Sequence, residues 1–446
     1  MVLEMRIALM TNNYKPMMGG VPISIERLAK GLEALGHQVT IFAPTYREQQ
    51  EEENVFRYRT CLNHFIGGIV LPNPFDSTIE EEFEKNTYDI IHVHHPMLIG
   101  RMAVYLSRKY HIPLVFTYHT RYEQYLRCYT GNIAKFDGFM VAYLHTFLKH
   151  CDFVFAPTAG MQQYLVNDCK VDSGRTGILP TGIERENYMV SEAEGEEIRR
   201  QYGAEGMPLL LTVSRMAHEK NVSFLLESLA RVKELYGRPF RVLMVGDGPD
   251  KEALQKRSIS LGLENTIIFT GTVPNEQIAP YFKAADGFIF ASKTETQGIV
   301  VLEAFAGATP VIAVQATGVE DLVEDGVNGI LTREDREEYA ERLTEFLESV
   351  PVCRTMQAEE GVAGQQQATV AQEGSTGQAK DAQQQVQTAM FDTMAENAYR
   401  TGNMYKEEMI AFKALHYYNN IIEEKRITVE HGGQKKRNIR LLLGRI

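Results

Sequence analysis

Two glutamates in one segment of the chain have the spacing of ligand-binding residues. Glu295 and Glu303 follow an apolar run at residues 287–291, which predicts a buried strand, and they bracket Gly298. Because Gly298 can open a helix, the N–H groups of residues 298–300 would face a ligand and would suit sugar hydroxyls or a phosphate. Glu303 lies further along that helix, where it can bind a ribose diol, and Glu295 lies in the loop near the sugar.

A pair of cations follows another predicted strand, at residues 209–213. Arg215 and Lys220 are five residues apart in the segment Ser214–Lys220. An arginine binds phosphate oxygens with a planar fork, and a lysine adds a point charge that can neutralise a leaving diphosphate. The alternative is a solvated helix start in which Glu219 pairs with a neighbour.

Adjacent glycines, Gly19 and Gly20, lie between the first predicted strand and a helix. The free N–H groups at such a helix start favour a phosphate, although a plain tight turn has the same sequence. A dinucleotide-binding dehydrogenase would instead require G-x-G-x-x-G. The nearest candidate begins at Gly246 and has Lys251 in place of the third glycine, which argues against that class.

Histidines occur at the ends of two predicted strands. His119 closes the run at residues 114–118, where an isolated histidine is more often a capping or core residue. His92, His94 and His95 suggest a metal site, but no carboxylate or cysteine accompanies them at close spacing. With no Asp-x-Asp motif and a cation pair present, we expect chemistry that is independent of a divalent ion.

These residues need a scaffold that brings strand ends together. Short apolar runs alternate with amphipathic helical stretches along two series, which predicts an α/β protein with two doubly wound parallel sheets. Ligands bind beyond the carboxyl ends of such strands, so two facing sheets place two binding edges across one cleft. Residues 180–207, which include an acidic stretch, indicate the domain junction. Residues 357–390 are rich in Gln and Ala and predict a mobile insertion or a loosely helical arm.

The composition excludes several classes. The 446 residues are 44% hydrophobic and 23% charged, and they contain neither a signal peptide nor an apolar run of spanning length, so we expect a cytoplasmic protein. Five irregularly spaced cysteines without C-x-x-C indicate reduced thiols. A net charge of −12 opposes nucleic-acid binding, although the tail at residues 435–445 is basic.

The order and spacing of these motifs across residues 5–347 resemble the GT-B retaining glycosyltransferases of family four. The resemblance implies two Rossmann-like domains facing a cleft, with C-terminal helices that cross back to the first domain. The domains are then an acceptor-binding domain at 1–185, a nucleotide-sugar-binding domain at 186–350, the Gln/Ala-rich insertion at 351–392, and crossover helices with a basic tail at 393–446.

Site residues follow from the resemblance one by one. The residues implied to be catalytic are His119 beside the donor sugar, Glu295, Arg215 and Lys220. The residues implied to bind the donor are Gly19, Gly20, Arg215, Lys220, Gly246, Thr272, Val273, Glu295, Gly298, Ile299, Val300 and Glu303. Arg215 and Lys220 would hold the diphosphate, Glu303 the ribose, and the loop 271–274 would flank the base. No cofactor or metal is implied; the co-substrate expected is a nucleotide diphosphate sugar, UDP-glucose.

The acceptor is suggested by a narrower resemblance. Residues 117–127, with His94-His95-Pro96, resemble the subgroup that glucosylates diacylglycerol, which implies acceptor contacts at His94, Tyr118 and Tyr122. A basic, aromatic face there suits the anionic inner surface of the plasma membrane. Two alternatives stay open: a retaining transferase with a soluble sugar or polysaccharide acceptor, and a noncatalytic nucleotide-sugar-binding protein. The sequence does not indicate an oligomeric state.

Overall fold

The chain consists of two compact units. The computed structural model describes residues 4–17, 19–62, 71–73, 76–122, 134–351 and 376–430. Unit 1 comprises Met1–Glu184 and Tyr405–Ile446, and unit 2 comprises Arg185–Met404. The chain therefore passes from one unit to the other twice.

Unit 1 is built on a seven-stranded sheet in the order β3-β2-β1-β6-β7-β8-β9, with every neighbouring pair parallel. The strands, including a small antiparallel pair β4–β5, are β1 Arg6–Met10, β2 Gln38–Pro44, β3 Val55–Tyr58, β4 Thr60–Leu62, β5 Leu71–Pro72, β6 Ile90–Val93, β7 Leu114–Thr117, β8 Phe153–Ala156 and β9 Thr176–Ile178. The central strands are buried along their length, as expected for a parallel sheet with helices on both faces.

The α-helices of unit 1 among the described residues are α1 Gly20–Ala34, α2 Ser77–Lys85, α3 Ile99–Tyr110, α4 Ala134–Leu148, α5 Ala159–Asn167 and, from the last part of the chain, α13 Glu407–Glu430. The last of these packs on α1. Ile25 and Leu32 of α1 share a buried core with Ala411, Ala414 and Tyr418 of α13. The close approach depends on Gly31, because a Cβ there would lie 2.7 Å from the Cβ of Ala411.

Unit 2 is built on a six-stranded parallel sheet in the order β12-β11-β10-β13-β14-β15. Its strands are β10 Leu209–Val213, β11 Arg241–Val245, β12 Ile267–Gly271, β13 Gly287–Phe290, β14 Val311–Val314 and β15 Gly329–Thr332. Both units therefore have the predicted doubly wound α/β architecture.

The helices of unit 2 are α6 Glu192–Gln201, α7 Val222–Tyr236, α8 Lys251–Ser260, α9 Ala279–Ala284, α10 Ile299–Ala306, α11 Arg336–Ser349 and α12 Thr376–Asn403. Helix α12 packs on this unit, where Phe391 and Met394 join the buried core that also contains Phe346. In the region predicted to form crossover helices, the chain forms α12 and α13, and they belong to different units.

The two units divide between residues 184 and 185, inside the predicted junction at 180–207. The acidic stretch of that junction is helix α6, which begins with a capping box between Ser191 and Glu194. The Gln/Ala-rich segment is regular helix from Thr376 onward, while residues 352–375 lie outside the described part. The basic tail at 435–445 lies outside it as well, and so do residues 123–127 of the segment compared with lipid glucosyltransferases. No helix among the described residues is long and apolar enough to cross a membrane.

Candidate active site

The predicted donor residues of unit 2 lie in four loops at one edge of its sheet. They follow β12, β11, β10 and β13, which are consecutive neighbours in the sheet, and parallel strands all present their carboxyl ends to the same side. Thr272 and Val273 follow β12, Gly246 follows β11, and the loops with Arg215 and Glu295 follow β10 and β13.

Backbone hydrogen bonds join these loops to one another. The N–H of Ser214 donates to the carbonyl of Val245 at 3.0 Å, and the N–H of Met216 donates to that of Asp247 at 2.9 Å. The N–H of Gly246 donates to the carbonyl of Gly271 at 2.8 Å. The edge is therefore a connected surface, and Arg215 is exposed on it.

Gly246 is required by this loop packing. Its φ of +131° lies outside the range that residues with side chains usually adopt. A Cβ there would also lie 2.0 Å from the carbonyl oxygen of Ser214. The glycine predicted to belong to the donor site thus lets the β11 loop lie against the Arg215 loop.

Lys220 and Glu295 form an ion pair at the centre of this edge. Nζ of Lys220 donates to Oε1 of Glu295 at 2.5 Å, and the side chains are 23% and 18% exposed. The hydroxyl of Ser292 donates to the carbonyl of Glu219 at 3.3 Å, which ties the two loops together beside the pair. Lys220 makes no other side-chain hydrogen bond within the described residues, so two of its three N–H donors remain for a ligand.

The pair keeps Glu295 ionised. Burial raises the pKa of this carboxyl, but the charge of Lys220, its hydrogen bond to the carboxylate and the nearby Ser292 hydroxyl outweigh burial and leave the pKa below its ordinary value. At neutral pH, Glu295 is then an ionised hydrogen-bond acceptor. It can accept hydrogen bonds from sugar hydroxyls, but it has no proton to donate as a general acid.

Helix α10 begins as the sequence predicts. Gly298 caps it with a φ of +73°, and the helix itself starts at Ile299, followed by Val300. Glu303 lies one turn into the helix and is only 7% exposed. A residue that sequence reasoning missed is Gly318, where a Cβ would lie 2.7 Å from the carbonyl oxygen of Glu295.

In unit 1, the candidate residues follow three strands that are also neighbours, β1, β6 and β7. Gly19 and Gly20 are exposed at the start of α1. The ring of His94 is 1% exposed, and its Nδ1 lies 2.8 Å from Nε2 of His119. The sheet thus brings the two predicted histidines into direct contact.

Burial lowers the pKa of these histidines. The pKa values of His94 and His119 both lie well below the ordinary value, chiefly because of burial and in addition because of neighbouring imidazoles. Both rings are therefore neutral at physiological pH. Within the described residues, no group of three or more His, Cys, Asp or Glu side chains could hold a metal ion.

The predicted acceptor contacts lie deeper than expected. Tyr118 is 0% exposed, and its ring packs edge-on against Tyr122 at 6.2 Å between ring centres. His94 is 1% exposed. Both residues directly follow strands of the sheet, β6 and β7, and Tyr122 is partly buried.

Comparison with known proteins places this geometry in a family. An Anabaena protein, HepE, solved with UDP and glucose, superposes with a TM-score of 0.67 at 17% identity over 94% of this chain and 100% of that one. Residues 18–187 match the family model Glycosyltransferase Family 4, and residues 194–360 match Glycosyl transferases group 1. The alpha-monoglucosyldiacylglycerol synthase of Streptococcus pneumoniae is 33% identical over 73% of this chain and 75% of its own length. The chain is a GT-B glycosyltransferase.

A second relative agrees with the first. The alpha-monoglucosyldiacylglycerol synthase of Acholeplasma laidlawii is 29% identical over 75% of this glycosyltransferase and 86% of its own length. The two family models meet close to residue 185, where unit 2 begins. The predicted fold and family are therefore confirmed, and the activity is that of a glycosyltransferase.

Proposed function

We propose that this glycosyltransferase moves glucose from UDP-glucose to a hydroxyl of a membrane lipid such as diacylglycerol, with retention of anomeric configuration and without a metal ion. The Lys220–Glu295 ion pair at the carboxyl edge of the unit 2 sheet is the observation that supports the proposed donor. The proposed acceptor is supported by the two relatives that are alpha-monoglucosyldiacylglycerol synthases.

In this proposal, the two charges of the pair contact different parts of the donor. Lys220, with Arg215, stabilises the negative charge that develops on the departing diphosphate, and this is the largest expected catalytic contribution. Glu295 accepts hydrogen bonds from hydroxyls of the transferred sugar. Because the cations already supply positive charge at the leaving group, the reaction needs no divalent ion.

The proposed reaction breaks the bond between the sugar C1 and the diphosphate oxygen. The acceptor hydroxyl attacks C1 from the face that the diphosphate leaves, so the configuration is retained. Its proton passes to the departing diphosphate, which leaves as UDP. His119 contacts the sugar as a neutral imidazole, which can accept or donate a hydrogen bond without adding charge.

A donor panel tests this function. Purified protein is incubated with UDP-glucose, UDP-galactose, UDP-N-acetylglucosamine or GDP-mannose, vesicles of diacylglycerol with phosphatidylglycerol, and EDTA, and products are identified by mass spectrometry. We expect glucosyldiacylglycerol with the α configuration. Transfer only to soluble sugars would favour the second candidate acceptor class, and product from GDP-mannose alone would refute the donor.

Lys220→Ala tests the donor site within the same assay. We expect kcat/KM to fall at least about 100-fold, because a charge aimed at the leaving group is lost. The matched control is Lys233→Ala at the opposite end of α7, about 20 Å along the helix axis. Equal activity of the two variants would exclude the proposed role of Lys220.

A further inference from the structure

Four aromatic side chains form a column through unit 1 that ends at His119. The ring of His94 stacks on His119 with 5.1 Å between ring centres and on His92 with 4.4 Å. His92 is in turn held by Tyr418, whose hydroxyl lies 2.6 Å from Nδ1. Thr117 Oγ1 lies 2.6 Å from the other nitrogen, Nε2, of His92. Both nitrogens of His92 are thus engaged, and its ring is a fixed platform for His94.

The contact between His94 and His119 links their protonation. Burial keeps the pKa of both rings far below neutrality, so each ring carries one N–H and one lone pair. A hydrogen bond between Nδ1 of His94 and Nε2 of His119 needs the hydrogen on one of these atoms only. Choosing the tautomer of His94 therefore chooses that of His119.

The second nitrogen of His94 has an opening beside it. Nε2 is buried and has no hydrogen-bond partner within the described residues. His94 lines a small pocket, with room for about one water molecule, together with Ser24, Thr117 and Thr181. The hydroxyls make this pocket polar enough to hold a water molecule, which can donate to Nε2 or accept from it.

We propose that His94 is a positioning residue: it fixes the orientation and tautomer of His119 through the ring-to-ring hydrogen bond, with Tyr418 and His92 as its support. This proposal rests on the proposed function, in which His119 contacts the donor sugar. It replaces the role of acceptor contact predicted for His94. It also gives helix α13, which supplies Tyr418, a part in the site.

A double-mutant cycle in kcat tests whether His94 acts through His119. We expect His94→Phe to lower kcat about 10- to 100-fold, since a small displacement of a contacting group is costly, with less than a twofold change in KM for UDP-glucose. In a His119→Ala background the same substitution has no further effect. His94→Asn, which keeps a hydrogen-bonding group near Nδ1, recovers most of the activity. Equal losses from His94→Phe in both backgrounds would overturn the proposal.

A spectroscopic measurement separates this proposal from the proposed function. In protein labelled with ¹⁵N-histidine, ring nitrogen shifts report the tautomer of His119 without any substrate. We expect one neutral tautomer in the native chain and in His94→Asn, and a mixture of tautomers in His94→Phe. An unchanged His119 spectrum in a folded His94→Phe protein refutes the positioning role, whatever the substrate. A changed spectrum with full activity of His119→Ala would instead refute the catalytic role of His119.

Discussion

In the proposed function, the Lys220–Glu295 pair lets one loop edge contact both the diphosphate and the sugar of the donor. An isolated lysine at this depth would lose hydration, and an isolated glutamate would take up a proton. Together they remain charged with side chains 23% and 18% exposed. A donor with a diphosphate and a hydroxylated sugar complements both charges, so the pair is organised before substrate arrives.

The buried histidines of unit 1 make stability depend on pH. Burial lowers the pKa of His92 to about 3 and that of His95 to about 4, from 6.5. Below about pH 6.5 the unfolded chain takes up protons that the folded chain does not, so the free energy of unfolding falls as the pH decreases. For each ring the loss is about 1.4 kcal/mol per pH unit until the folded-state pKa is reached.

His95→Asn isolates one of these contributions. Nδ1 of His95 accepts from the N–H of Asn12 at 3.2 Å, and an asparagine can keep an acceptor near that position. Between pH 6 and 4.5, we expect urea unfolding of the variant to show a pH slope smaller by about one proton. Parallel slopes for the native chain and the variant would contradict the assignment.

Residue types at the site were predictable where they follow strands, but their pairings were not. Lys220 and Glu295 could be placed at one edge because both follow apolar runs of a parallel sheet. Their ion pair depends on β10 and β13 being neighbours, which spacing alone does not reveal. The contact between Tyr418 and His92 could not be predicted, because 326 residues separate them in the chain.

At the scale of the elements, the packing of α13 on α1 depends on the small size of Gly31. In Gly31→Ala the added Cβ would lie 2.7 Å from the Cβ of Ala411 and 3.1 Å from the carbonyl oxygen of Glu407. We expect a loss of about 1–3 kcal/mol in urea unfolding despite the better helix propensity of alanine. Adding Ala411→Gly restores the space and should recover part of the loss. If Gly31→Ala alone is as stable as the native chain, the two helices do not pack this closely.

Sequence reasoning missed three of the four strands at the edges of the two sheets. Strands β3 and β9 flank the first sheet and β15 flanks the second, and none of them was predicted. Edge strands pair on one side only, and β3 is mostly partly exposed, so the buried apolar run that marks a central strand is weak there. Helix α6 was not predicted within the domain junction, although Ser191 and Glu194 form a capping box at its start.

At the scale of the whole molecule, each of the two units has its own sheet. A ligand that binds to one unit can therefore stabilise that unit against unfolding more than the other. Arg215 and Lys220, the proposed leaving-group charges, both belong to unit 2, so UDP alone should stabilise unit 2 first. At 100 times its Kd, UDP adds about 2.7 kcal/mol to the unit that binds it. Hydrogen exchange followed by mass spectrometry measures the stability of each unit separately. Peptides from β10 and β11 report on unit 2, and peptides from β6 and β7 report on unit 1.

The expected pattern is slower exchange in the β10 and β11 peptides with UDP, and a smaller change in those of β6 and β7. Lys220→Ala should abolish the protection while Lys233→Ala keeps it, because only Lys220 lies at the proposed diphosphate site. Protection confined to unit 1 would move the nucleotide site to the other sheet and refute the donor assignment. Equal protection of both units would mean that they open as one cooperative body, in which case the Lys220→Ala comparison alone locates the nucleotide.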